Sequence, residues 1–168
     1  MAVDFASKQR DRGGDGWGLR NAKLRMSRKL IFAAGLLTCF SCQLDENLPS
    51  KISTDIETAR NLNLAYLQQY ILLRSSKTPL DTVAAAITEY RIDSSIAKEV
   101  FNAYDEFLFT IGDRRKRLKL KELRAEDSRK YPLFKDVQNF GERFSRALTE
   151  IFFSNPQLRP LTQKYGVF

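Results

Sequence analysis

From Leu19 onward the apolar residues return every three or four positions, the spacing of a helix with one face turned inward. Leu19, Ala22, Met26, Leu30, Ala33, Leu37 and Phe40 form one such stripe. Leu24, Ile31 and Leu36 widen it, so the second half of this helix is expected to be buried on more than one side. Pro49 and its neighbours break the chain, and Ser53 and Thr54 offer caps for a second helix over 54–74. That helix would carry Ile56, Ala59, Leu62, Leu67, Tyr70 and Ile71. "KTPLDT" predicts a third helix to about Tyr90, with Thr78 as cap and Pro79 in the first turn.

After the short link "RIDS", a fourth helix is predicted from Ser94 to Ile111, its apolar face made of Ile96, Val100, Phe101, Tyr104, Phe107, Leu108 and Ile111. A charged helix or linker follows and closes at Pro132. The last long helix, 134–153, sets Phe134, Val137, Phe140, Phe144, Ala147, Leu148, Ile151 and Phe152 on one side. Two prolines in the remaining tail, 154–168, predict an extended segment that folds back over the bundle through its aromatic residues. Alternation at period two is nearly absent. The pattern therefore predicts an all-α chain: a single-domain bundle of about five to six helices over 19–153, behind a flexible glycine-rich leader, 1–18. Trp17 marks where order could begin. Gly35 and Gly141 fall inside helices, and each is expected to mark a close helix–helix approach.

Composition narrows the chemistry. The 168 residues include no histidine, which removes the Ser-His-Asp and Cys-His nucleophile systems and the imidazole base. The two cysteines, Cys39 and Cys42, form a CxxC with no second pair to complete a metal site, and they sit at the wrong end of a helix to be activated. They are expected to be small buried hydrophobes. Adjacent acids such as Asp105 with Glu106, or Glu126 with Asp127, diverge by about 100° on a helix and make no acid–base couple. No GxxxxGK[ST] or GxGxxG is present, and "RGGDGWG" has no strand before it. No catalytic residue, metal site or cofactor is predicted, and an enzyme using carboxylates or Lys/Arg in a cleft ranks last.

The net charge of +8 is uneven. Residues 1–29 carry net +5 and 112–135 net +6, leaving −3 for the rest. Within these segments lie Arg20, Lys23, Arg25, Arg28 and Lys29, and then Arg114, Arg115, Lys116, Arg117, Lys119 and Lys121 in "RRKRLKLK". Taken alone, that run reads first as a solvated helix face paired with Glu99, Asp105 and Glu106. Brought together by the fold, the two segments would make one electropositive surface for nucleic acid or an acidic protein surface. A helix-turn-helix over 79–107 is disfavoured, because its second helix would present Glu99, Asp105 and Glu106 to phosphate.

The stretch "MSRKLIFAAGLLTCFSC" resembles a bacterial lipoprotein signal if translation starts at Met26: a basic leader, an apolar core and Cys42 after the small Ser41. The resemblance implies a chain lipidated at Cys42 and anchored in the cell envelope. It departs in having Cys39 where leucine is usual. The apolar stripe also runs unbroken from Leu19 across Met26, which favours a buried helix. No run reaches the ~20 apolar residues of a transmembrane helix. The leading expectation is a non-enzymatic cytoplasmic binding or adaptor protein that engages an anionic partner through 20–29 and 114–121. The apolar surplus on several helices suits a monomer and a dimer alike.

Overall fold

The structure is a computed structural model that describes residues 16–44, 68–74 and 76–166. The predicted leader lies outside the described residues up to position 15, as does the second helix up to position 67. Every regular element among the described residues is helical, as the periodicity predicts. In chain order they are α1 (Trp17–Lys23), a π-turn (Leu24–Arg28), α2 (Lys29–Leu44), α3 (Pro79–Glu89), α4 (Ser94–Gly112) and α5 (Arg114–Glu122). A 3-10 turn (Ser128–Lys130), α6 (Pro132–Ser154) and α7 (Leu158–Tyr165) complete the chain. Residues 68–74 are helical as well. Contacts cluster into two units: one runs to Lys29 and takes in Ser94–Leu148, the other takes Leu30–Asp93 and everything from Thr149.

In the first unit the helical run starts at Trp17, two residues before the predicted boundary, behind Gly16 at φ 75°. That left-handed backbone suits glycine, which has no Cβ to clash. The Trp17 ring lies 5.1 Å from Phe134, tying the start of α1 to the start of α6. Met26, Val100, Ala103, Phe107, Leu120, Phe134, Val137 and Phe144 are buried here. Tyr104 bridges Phe107 and Phe144, at 5.8 and 5.7 Å between ring centres. On α4 the buried face is turned from the predicted one: Ala103 and Thr110 are enclosed while Leu108 is exposed. Arg143 of α6 reaches two carboxylates of α4, donating from Nε to Glu99 at 2.6 Å and from its terminal nitrogen to Glu106 at 2.9 Å. These carboxylates hold its guanidinium firmly in the charged form, Glu99 most strongly.

Two glycines set close approaches in this unit. At Gly141, as predicted, a Cβ would come within 3.1 Å of the Arg25 Cβ. At Gly18 of α1, a Cβ would lie 2.5 Å from the Leu120 carbonyl oxygen of α5. Gly35 does not follow the prediction: it is exposed with open space around it, and α2 runs through it unbroken.

In the second unit the stripe of α2 is buried at Leu30, Ala33, Leu37 and Phe40, and Phe40 meets Phe152 edge-on at 6.1 Å. The widened burial does not occur on one side, where Ile31 is 60% exposed. It lies about 100° around the helix from Leu30, beyond the packed face. Cys39 is likewise exposed, on the side away from Leu37, and only Cys42 is half-buried.

Helix α3 begins as predicted: Thr78 Oγ1 accepts from the Asp81 N–H at 3.2 Å, and Pro79 occupies the first position, where no N–H is needed. It ends in a Schellman closure, with the Ile92 N–H on the Ile87 carbonyl at 2.9 Å and the Arg91 N–H on Thr88 at 3.3 Å. Arg91 takes the left-handed position at φ 51°, where glycine is usual. Beside this closure the Tyr90 side chain is buried. Burial, with Glu89 next to it, pushes its phenol well above the ordinary value against the opposing pull of Arg74.

A raised folded value means this contribution to stability is whole below about pH 10, the ordinary phenol value, and is lost as the pH climbs from there toward the folded one. Urea midpoints measured across that alkaline range should fall for the native chain and fall less steeply for Tyr90→Phe. Parallel slopes would refute this account.

The tail is a correction. It is not extended: α7 runs from Leu158 to Tyr165, with Leu158 and Thr162 buried. Asn155 organises its start, donating from Nδ2 to the Tyr90 carbonyl at 2.9 Å. Its Oδ1 accepts from the Gln157 and Leu158 N–H groups at 2.9 and 3.1 Å. Pro160 falls in the first turn, where its missing N–H would have had no helical partner. The tail folds back through Leu158 and Thr162, whose hydroxyl donates to the Phe152 carbonyl, while Tyr165 is exposed.

Candidate functional site

The charged segment resolves into a helix followed by a loop. Asp113 caps α5, its Oδ1 accepting from the Lys116 N–H at 2.9 Å. That bond, above all, holds the Asp113 carboxyl below its usual range. Only Leu120 and, just past the helix end, Leu123 anchor the segment in the core. With 3.6 residues per turn, the remaining side chains fan out around α5. Arg114, Arg117 and Lys121 fall on one face together with Leu118.

Helix α1 packs against α5 beside that face. The absence of a side chain at Gly18 lets it sit against Leu120, and the Gly16 N–H donates to the Lys121 carbonyl at 2.8 Å. Between the two helices is a cleft of about 670 Å³. Its walls are Leu19 and Arg20 on one side and Arg114, Arg117, Leu118 and Lys121 on the other, with Gly16 at one end. The volume is within the range of ligand pockets. The fold thus brings Arg20 from the first basic segment to three cations of the second.

The other predicted positions do not join them. Arg115 and Lys119 are exposed on α5 away from the cleft, and the Lys116 Nζ lies 5.2 Å from the ring centre of Phe109. Lys23 and Arg28 are exposed. Arg25 donates from Nε to Asn21 Oδ1 at 2.9 Å and lies against Gly141. Lys29 donates to the Ser145 hydroxyl, and burial first, then Arg25, holds its ammonium below the usual lysine value.

Of the three carboxylates expected to neutralise the basic run, Glu99 and Glu106 are held by Arg143, and Asp105 is exposed. Among the described residues, no carboxylate lies within ion-pair distance of Arg114, Arg117 or Lys121. The arrangement of cations can bind anions. Leu19 and Leu118 were missed as wall residues. The Leu118 signal was present in its spacing from Arg114, Arg117 and Lys121, four apart, one apart and three apart along a helix.

Cys42 donates its thiol to the Thr38 carbonyl at 3.2 Å. Among the described residues, no group of three metal-ligating side chains occurs, and no helix is long and apolar enough to cross a membrane. No known protein family, curated protein or solved structure matches the chain.

Proposed function

We propose that this chain is a non-enzymatic helical binding protein that engages an anionic partner through the α1–α5 cleft. The observation that carries this reading is the convergence of Arg20 with Arg114, Arg117 and Lys121 on one concave surface, the three α5 cations having no carboxylate partner among the described residues. The three α5 cations repel one another, so a bound anion relieves that repulsion as well as making its own contacts. The exposed Arg115 and Lys119 add to the field that draws such a partner in. The lipoprotein reading gains no support: cleavage before Cys42 would remove Met26, Leu30, Ala33, Leu37 and Phe40, all buried.

The test is binding of a labelled polyanion to the full chain by fluorescence anisotropy. The Arg114→Glu/Arg117→Glu pair should lose about 100-fold or more in affinity, since each charged hydrogen bond contributes about 1.5–3 kcal/mol. Lys98→Glu/Arg146→Glu makes the same change in net charge on exposed sites outside the cleft and should cost far less. Equal losses in the two pairs would mean that net charge, not the cleft, governs binding.

A further inference from the structure

We infer that the partner taken by this cleft is an acidic amphipathic helix of another protein, an inference that rests on the anion-binding reading above and narrows it. The first observation is the mixed chemistry of the walls. Leu19, half-buried, and Leu118, 48% exposed, stand among Arg20, Arg114, Arg117 and Lys121. A ligand that met only the cations would leave both leucines in water. A partner with apolar side chains beside its carboxylates covers the leucines and pairs the cations at once, the complementarity of a helix laid into a groove.

The second observation is spacing. Arg114, Leu118 and Lys121 fall four and three residues apart, so a leucine stands between two exposed cations about 10 Å apart along α5. Seven residues of any α-helix rise by that same distance. A partner helix lying along the cleft therefore sets acids seven apart opposite Arg114 and Lys121, with an apolar side chain between them over Leu118. An extended peptide does not match, because its same-side residues recur at about 6.7 and about 13.4 Å. Length agrees as well: α1 and α5, of seven and nine residues, make walls about 10 and about 13 Å long, room for two turns of a partner. Third, the lining is leucine, arginine and lysine around Gly16, with no aromatic ring. Sequence-tolerant binding of single strands stacks bases on aromatic rings. A duplex backbone offers the cations phosphates and the leucines nothing. The exposed guanidinium groups of Arg114 and Arg117 suit forked pairing with carboxylates.

The probe is a labelled, capped peptide of about 16 residues, long enough to be helical alone, with glutamates seven apart and leucines between them on one face. Its isomer has the same composition with the leucines moved to the opposite face, and a single-stranded oligonucleotide of equal charge is the third probe. Anisotropy with the full chain at about 150 mM salt should show the peptide binding about tenfold or more tighter than either. Leu118→Ser, at an exposed site and checked for unchanged helicity, should weaken peptide binding by about 5- to 10-fold. Leu108→Ser, the same change at an exposed position of α4 outside the cleft, should alter it by less than about twofold. An isomer or oligonucleotide bound as tightly as the peptide, or a Leu118→Ser loss no greater than that of Leu108→Ser, overturns the helix inference while salt-sensitive anion binding stands. Absence of salt-sensitive binding to all three probes removes the anion-binding reading itself, and this inference with it.

Discussion

Gly18→Val should separate α1 from α5 and abolish the cleft. The first atom of any side chain at this position would lie 2.5 Å from the Leu120 carbonyl oxygen and 3.0 Å from the Leu123 Cβ. The nearer atom belongs to the backbone of a helix, so no rotamer change can relieve the clash. Overpacking of this kind costs about 1–3 kcal/mol and occasionally more, and a β-branched residue adds bulk at a point of contact. The better helix propensity of valine returns only a few tenths of a kcal/mol. We expect a net loss of about 3 kcal/mol by urea unfolding. We also expect loss of polyanion binding where the variant is still folded, because Arg20 would no longer face Arg114, Arg117 and Lys121. A variant with native stability and native affinity would show that the α1–α5 contact does not build the site.

The second large effect is ionic. With a single-stranded oligonucleotide as the polyanion probe, and Arg20, Arg114, Arg117 and Lys121 each meeting one phosphate, log affinity should fall against log salt with a slope of about −3. Going from about 50 to about 200 mM salt would then weaken binding by about 50-fold. The Arg114→Glu/Arg117→Glu pair should at least halve the slope, leaving less than about tenfold over the same range. A native slope near zero would mean that phosphates are not displacing counterions at this surface.

Much of this architecture is legible in the sequence because burial follows one face of each helix. The stripes of α2 and α6, the Thr78–Pro79 start and the span of α4 need only local rules, a period and a cap. The failures are where a distant partner decides. The prolines of the tail read as breakers until Asn155 is seen bonded to Tyr90, 65 residues away. Nothing local predicts that Glu99 and Glu106 will serve Arg143, 44 and 37 residues on, and so leave the basic run without them. Ile31 looks like core on composition alone, yet the packed face ends before it. The basic residues themselves were obvious as a population. Which of them converge was not, because convergence depends on a glycine touching a backbone that is about a hundred residues further along.

The π-turn at Leu24–Arg28 has a consequence for descent. A π-turn holds one residue more than the α-helical turn it replaces, so the surplus is absorbed locally and the faces before and after it keep their phase. Ala22 and Leu30, on either side, are both buried. A relative of this chain that lacks the π-turn should therefore align with a one-residue gap between Leu24 and Arg28, its apolar stripes unmoved on both sides. An indel of one residue at any other point of this helical run would instead turn everything beyond it by about 100° and expose the core.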